Sequence, residues 1–388
     1  MTSRDNTYPG FWGRYSRQSH GTLAFAALAC ACASAGAQNA PPASSSTVTV
    51  YGLLDLSVAS ATGPGGRVVK LDSGHVNGSR LGFRGSEDLG GGLRASFLLE
   101  SGLNVDTGGM GQNQGAGAKM FGRGAYVGLS GDFGEVRLGR TLITISSEAQ
   151  AAGDAFGLGG SGNAQGIQPA TGRSNNTVWY QSPKFGGASA KVSYSFGEQP
   201  VSKAGNHVAA GLFYAKGPVG AAAAYTVLRH PTDESRVRWF NAGASYDFGT
   251  FKLFATAATF KNPSAALTPA VHAALDSNIQ LAGIPGVGYY AGQNDRSVSI
   301  GASVPVGVGL LLVQGVKLDD RGPLDRDAAQ FGVDYIYNLS KRTSLYTGYG
   351  RVNNRNGAAL SLTGATSQAG LNASGDSDAY RVGLRHAF

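Results

Sequence analysis

The sequence predicts an all-β fold, a 16-stranded antiparallel transmembrane β-barrel with short periplasmic turns and long external loops. Three observations carry this. Segments of roughly ten residues with strand alternation recur along the chain, and their connections run short, long, short, long, a pattern soluble sandwiches rarely sustain. Beyond the N-terminal segment, no stretch approaches the roughly 18 apolar residues of a transmembrane helix. Glycine is abundant (60) while proline is scarce (14), and the glycines are scattered between short aromatic segments, as tightly curved strands and turns require.

Residues 1–37 read as a cleaved export signal. Arg14, Arg17 and His20 give a cationic start, Leu23 to Ala33 is an apolar run of small residues, and Ala35-Gly36-Ala37 is an A-x-A site before Gln38. The run is too short to span a bilayer. Both cysteines, Cys30 and Cys32, fall inside it, so the remaining chain has no disulfide, thiol nucleophile or cysteine metal site. Residues 38–46 form a short polar linker, and 47–388 form the barrel.

The first strand is Thr47 to Val58, with Val48, Val50, Leu54, Leu56 and Val58 on one face and Thr49, Tyr51, Asp55 and Ser57 on the other. A loop of Gly, Lys and Asp is expected next. Strands 79–85 and 93–100 flank the tight turn Glu87-Asp88-Leu89-Gly90-Gly91-Gly92. Six further hairpins follow: 125–131 with 134–141, 177–182 with 188–196, 207–216 with 221–229, 237–247 with 251–260, 296–304 with 309–318, and 330–338 with 343–352. In the last strand Tyr380, Val382, Leu384, His386 and Phe388 share an apolar face, while Arg381 and Arg385 look the other way. Ending on an aromatic residue suits a strand that pairs with the first and leaves no open edge. Tyr180, Tyr194, Phe196, Tyr214, Tyr246, Phe248, Tyr335, Tyr337 and Phe388 sit on apolar faces near strand ends, where a bilayer's interfacial rings would be.

The formal net charge of +8 is spread along the chain without the Lys/Arg run that tracks a nucleic-acid backbone, so no nucleic-acid partner is expected. It reads as a weak bias toward anionic small solutes. The histidines His75, His207, His230, His272 and His386 are scattered, and no H-E-x-x-H, G-x-S-x-G or strand–Gly-loop–helix pattern is present. His386 with a nearby serine is the lone hydrolase candidate. Neither enzyme activity nor a cofactor is expected.

The opening Thr47-Val48-Thr49-Val50-Tyr51-Gly52-Leu53-Leu54-Asp55 and the run Ser79-Arg80-Leu81-Gly82-Phe83-Arg84-Gly85-Ser86-Glu87-Asp88-Leu89-Gly90-Gly91-Gly92-Leu93 resemble general diffusion porins of the Gram-negative outer membrane, most closely the beta-proteobacterial branch. Ala125 to Gly131, Gly134 to Arg140 and the terminal Val382 to Phe388 are similar too. The resemblance implies an outer-membrane homotrimer, each barrel with its own water-filled pore, surrounded by lipid and lipopolysaccharide. It further implies insertion by the outer-membrane assembly machinery through the strand ending in Phe388. It also implies a third external loop, here about 142–176, folded into the lumen, where Gly159, Gly160, Gly162 and Gly166 would let it pack closely.

In such porins the narrowest point opposes basic wall residues to acids on that loop. Parity turns Arg80, Arg84, Arg94, Arg137, Lys191, Arg381 and Arg385 inward, and Arg80 matches the motif position of a constriction arginine. Arg173 lies at the end of the loop. Alternation from Val127 and Leu129 puts Arg123 outward, and Gly124 stands where relatives are basic, which suggests a wider or less cationic eyelet. The loop offers Glu148 and Asp154 as its acids. Opposed charges across this gap would set up a transverse field. The expected function is passive, weakly anion-selective diffusion of small hydrophilic solutes. The alternatives are a substrate-specific channel with a saturable site, and a soluble secreted β-protein serving as a binding or adhesion module.

Overall fold

The computed structural model describes residues 47–111, 119–168, 170–198, 203, 205–230, 235–263, 279–282, 292–360, 362 and 375–388. Segment 1–37 and linker 38–46 lie outside the described residues. In chain order the elements are β1 (Thr47–Gly63), β2 (Gly66–Ser73), β3 (Arg80–Gly90), β4 (Leu93–Asn104), β5 (Gly109–Gly111), β6 (Gly124–Gly131), β7 (Gly134–Arg140), α1 (Ile145–Ala151) and β8 (Ala170–Ser174). They continue with β9 (Thr177–Gln181), β10 (Ala188–Ser195), β11 (His207–Lys216), β12 (Val219–Arg229), β13 (Arg236–Asp247), β14 (Lys252–Asn262) and β15 (Ile279–Ala282). The last are β16 (Gln293–Val306), β17 (Gly309–Asp320), β18 (Ala328–Asn338), β19 (Thr343–Asn354) and β20 (Ser377–Ala387).

A membrane offers the backbone no hydrogen-bond partner, so a spanning sheet must close. Closure is made by β1 and β20, paired from Leu53↔Ala387 to Thr62↔Asp378. Gly52 and Phe388 exchange two further backbone bonds of 3.0 Å. One half of β1 pairs with β2 and the other with β3, so β2 and β3 are two halves of one wall strand. Residues 74–79 leave the sheet between them. β5 and β6 share β4 in the same way. Counted so, the 18 hydrogen-bonded segments make 16 antiparallel wall strands. β8 and β15 pair with each other in a separate two-stranded sheet.

The wall's two faces differ as alternation requires. Val50, Val58, Leu138, Leu212, Val298, Ile300, Val382 and Leu384 are exposed on the outer face. Asp55, Ser57, Glu100, Asn241, Gln314, Asp334 and Arg381 are buried on the inner one. Val69 and Leu71 of β2 follow the same rule. Residues 66–73 are therefore wall, where a loop was expected. Gly66 and Lys70 disguise a strand whose outward Val69 and Leu71 are apolar and whose Lys70 and Asp72 pair with each other at 3.4 Å.

Residues 145–167 pack against the inner face. Ile145 and Ala149 of α1 pack on Trp179, Ala209, Ala222 and Ala224. Phe156 packs on Leu312, Ile336 and Tyr346, and Ile167 joins Val316, Leu318 and Val352. Burying Ile145, Phe156 and Ile167 contributes roughly 1.5–3 kcal/mol each. Close approach to the backbone completes the fit. A Cβ on Gly153 would meet Ala255 O at 1.9 Å, and one on Gly332 would meet Gly162 Cα at 2.3 Å. The helix itself was not expected in this segment. Thr144 caps it, its side chain accepting from Ser147 N at 3.3 Å.

Candidate functional site

Two cavities flank the inward segment, and Leu142 and Ile143 line both. The larger, about 450 Å³, lies between residues 72–78, Arg80, Arg123, Arg173 and the segment's Ser147, Gly157, Leu158, Gly159, Asn163 and Gln165. β3 presents Arg80 inward. Arg123 precedes β6, outside the strand, so alternation does not govern it. Instead of facing lipid, it turns in and its Nε pairs with Glu100 Oε1 at 2.6 Å. Arg173 Nε donates to Arg123 O at 2.9 Å, which holds the loop's own cation beside the wall's. Arg385 donates to Asn77 Oδ1 at 2.7 Å. Glu100, the partner of Arg123, is buried and also accepts from Tyr51 Oη at 2.6 Å, and Asp72 lines the same cavity. Burial pulls the Arg173 guanidinium below the ordinary arginine range, and Arg123 and Arg140 push the same way.

The smaller cavity, about 240 Å³, is lined by Tyr126, Arg137, Arg140, Thr177, Trp179, Gln181, Lys191 and Glu148. Arg137 stacks 4.7 Å from the Tyr126 ring centroid and 4.6 Å from that of Trp179, and is held bidentate by Glu135 at 2.8 Å. Lys191 lies over Phe213 at 4.4 Å and pairs with Glu148. Arg137 and Lys191 are thus matched by acids. Arg140 was not singled out from the sequence, since alternation sends it to lipid. Gly139 adopts φ 137°, and the guanidinium bonds Gly122 O and Asn175 Oδ1.

Four expected constriction residues lie elsewhere. Arg381 is 1% exposed, sealed between wall and loop, with Nε 3.7 Å from Asp72 Oδ2. Asp154 is 2% exposed and is spent inside the loop, accepting from Phe156 N, Leu158 N, Ala164 N and Gln314 Nε2. Arg84 sits 5.0 Å from the Tyr51 ring centroid, and Arg94 stands opposite Asp88 at the turn end. Neither lines either of these two cavities. With Glu148 on Lys191 and Asp154 buried, the loop shows the arginines neutral groups. The acids at the larger cavity come from the wall instead: Asp72 lines it together with Arg80, Arg123 and Arg173, and Glu100 pairs with Arg123. Gly124 does not make the eyelet less cationic, because Arg123 beside it turns inward. His386, the hydrolase candidate, is exposed and meets Thr343 Oγ1 at 2.9 Å.

Residues 24–357 match the family model described as Gram-negative porin. The chain is 32% identical to outer membrane porin protein 32 of Delftia acidovorans over 366 residues, covering 88% of this chain and 94% of that protein. It is 33% identical to an outer membrane porin protein of Bordetella pertussis over 300 residues, covering 71% of this chain and 76% of that protein. An anion-selective porin from Comamonas acidovorans superposes with a TM-score of 0.73 at 31% identity, covering 89% of this chain and all of that one. The chain belongs to the Gram-negative porin family, as an outer-membrane channel protein and not an enzyme.

Proposed function

We propose that this porin passes small hydrophilic solutes by passive diffusion, with a preference for anions set at the larger cavity. The observation that carries the reading is the convergence of Arg80, Arg123 and Arg173 on one cavity whose acids are already engaged, Glu100 by Arg123 and Asp72 by Lys70 and Arg381. A permanent positive field in a narrow aqueous gap raises the local anion concentration and lowers that of cations. Arginine serves because it stays charged at any working pH. The likeness to a protein described as an anion-selective porin supports the same reading.

We infer a homotrimer as well. β7 has 7 residues and β9 has 5, fewer than the 9–11 a bilayer-spanning strand needs, so this arc of wall is suited to cover by another barrel. The aromatic and charged lining of the smaller cavity supports a second reading, a saturable site for a particular solute, which would show as concentration-dependent conductance block.

Arg80→Ala tests the main reading. A unit charge about 6 Å from the ion path is worth about 0.7 kcal/mol at water's dielectric constant. Screening at 0.1 M salt roughly halves that. The anion then loses about twofold and the cation gains about twofold, so the permeability ratio falls roughly fourfold. An unchanged zero-current potential across a KCl gradient would remove Arg80 from the selectivity site.

A further inference from the structure

At the end of the barrel that carries the long connections, the inner face of β16 and β17 holds two carboxylates against each other. Asp295 is directly opposite Asp320 in register, and the two are 1% and 2% exposed. Directly opposed residues have Cβ atoms about 5 Å apart, and these two carboxyl groups interact directly. Among the described residues, Asp320 is the only charged group that bears on Asp295. Two carboxylates shut away from water do not both stay ionised unless a cation joins them, and otherwise share a proton.

The oxygens around the pair favour the cation. Gln293, the neighbouring inward residue of β16 and 4% exposed, donates from Nε2 to Asp295 Oδ2 at 2.8 Å, which turns its amide onto the carboxylate. Its Oε1 is left without a donor, and so is Asp295 Oδ1. Buried oxygens are nearly always satisfied, so two bare ones beside a carboxylate pair mark a place for positive charge. Asp320 is aimed by its own backbone bonds, Oδ1 accepting from Gly322 N at 2.8 Å and Oδ2 from Arg326 N at 2.9 Å. Each of its oxygens keeps a second lone pair, so neither bond prevents coordination. The set is all oxygen, with no histidine or cysteine, which selects a hard cation over zinc or copper.

We propose that Gln293, Asp295 and Asp320 bind a calcium ion on the external side of the barrel. An irregular set of carboxylate and amide oxygens suits calcium, whereas magnesium demands near-octahedral geometry and gives up its waters reluctantly. With two carboxylates the site is weak, in the range of about 10⁻⁴–10⁻³ M that serves extracellular modules, so its occupancy follows the medium outside the cell. Because Asp320 also holds the backbone at residues 322 and 326, the bound ion stiffens the connection between β17 and β18. The proposal is independent of the pore's selectivity.

The test uses the full-length protein purified in detergent without chelator, with Tb³⁺ as a luminescent stand-in and Ca²⁺, Mg²⁺ and Na⁺ as competitors. Trp239 is placed to sensitise the lanthanide. It is directly opposite Phe260, which is directly opposite Asp295, so it lies two strand spacings away, about 10 Å. Calcium should displace Tb³⁺ at about 10⁻⁴–10⁻³ M, and magnesium only at concentrations roughly tenfold higher. Asp295→Asn, which keeps the size and removes the charge, should weaken calcium roughly tenfold or more. At calcium ten times its dissociation constant, trypsin cleavage after Arg321 and Arg326 should slow about tenfold. Absence of a Tb³⁺ signal from the unaltered protein at neutral pH would mean that a shared proton neutralises the pair, and would overturn the proposal without any variant. Displacement by Na⁺ as effective as that by Ca²⁺ would overturn it too. So would a calcium response unchanged by Asp295→Asn in channels of normal conductance, which would put the ion on residual lipid or another surface.

Discussion

Replacing Asp154 with alanine should release the inward segment while leaving the wall closed. The carboxylate accepts from Phe156 N at 3.0 Å, Leu158 N at 3.1 Å, Ala164 N at 3.1 Å and Gln314 Nε2 at 2.9 Å. It thereby ties the chain after α1 both to itself and to β17. Asp154→Ala leaves these donors without an acceptor in a buried place, at roughly 1–3 kcal/mol each. Water entering the vacated space returns part of this. A net loss of about 2–4 kcal/mol would lower the docked-to-released ratio by about 30- to 1,000-fold. The wall's strand ladders involve none of these donors except through Gln314, so trimer yield should be near normal. Single-channel recordings should show larger, noisier openings, and protease should cut between residues 145 and 168. Quiet channels of unaltered conductance with an uncut loop would refute the reasoning.

Four other outcomes follow from the same geometry. Gly153→Ala and Gly332→Ala drive a methyl into backbone that cannot yield, Ala255 O in the first case and Gly162 Cα in the second, so each should displace the loop at a cost of about 1–3 kcal/mol. Noise analysis and limited proteolysis check both. Glu148→Gln frees Lys191 from its partner and should raise chloride preference, opposite in sign to Arg80→Ala, in the same zero-current measurement. Burial raises the Asp154 carboxyl above its ordinary value against the pull of its hydrogen-bond donors. Because the docked pKa exceeds the released one, docking is strongest below the ordinary carboxylate pKa and weakens as pH rises through the raised value. Gating noise should therefore fall as pH is lowered toward the ordinary carboxylate range, and Asp154→Asn should abolish that dependence. Raising salt toward 1 M, where the screening length is about 3 Å, should erase most of the anion preference.

The wall was legible in the sequence because a barrel between lipid and water imposes period two with little interference. Val382 and Leu384 face out and Arg381 and Arg385 face in, as alternation alone says. The site was less legible, for two physical reasons. Alternation holds only within regular strand, and both Arg123, ahead of β6, and Arg140, after the turned backbone at Gly139, escape it. Parity also gives a side chain's face without its depth or cover. Arg381 and Asp154 have the charges of pore residues, yet each is covered where wall and loop meet. Glu100 is legible as a partner for wall arginines, since it shares inward parity with Arg94 on a strand that neighbours Arg80, and it pairs with Arg123.

A closed wall with an inward segment beyond Leu142 leaves an aqueous passage lined by Arg80, Arg123 and Arg173. The zero-current potential of the unaltered protein in a planar bilayer under a tenfold KCl gradient tests it most directly. Open channels are expected, with a potential of the sign for chloride preference. Absent channels, or a potential of the sign for potassium preference, would contradict it.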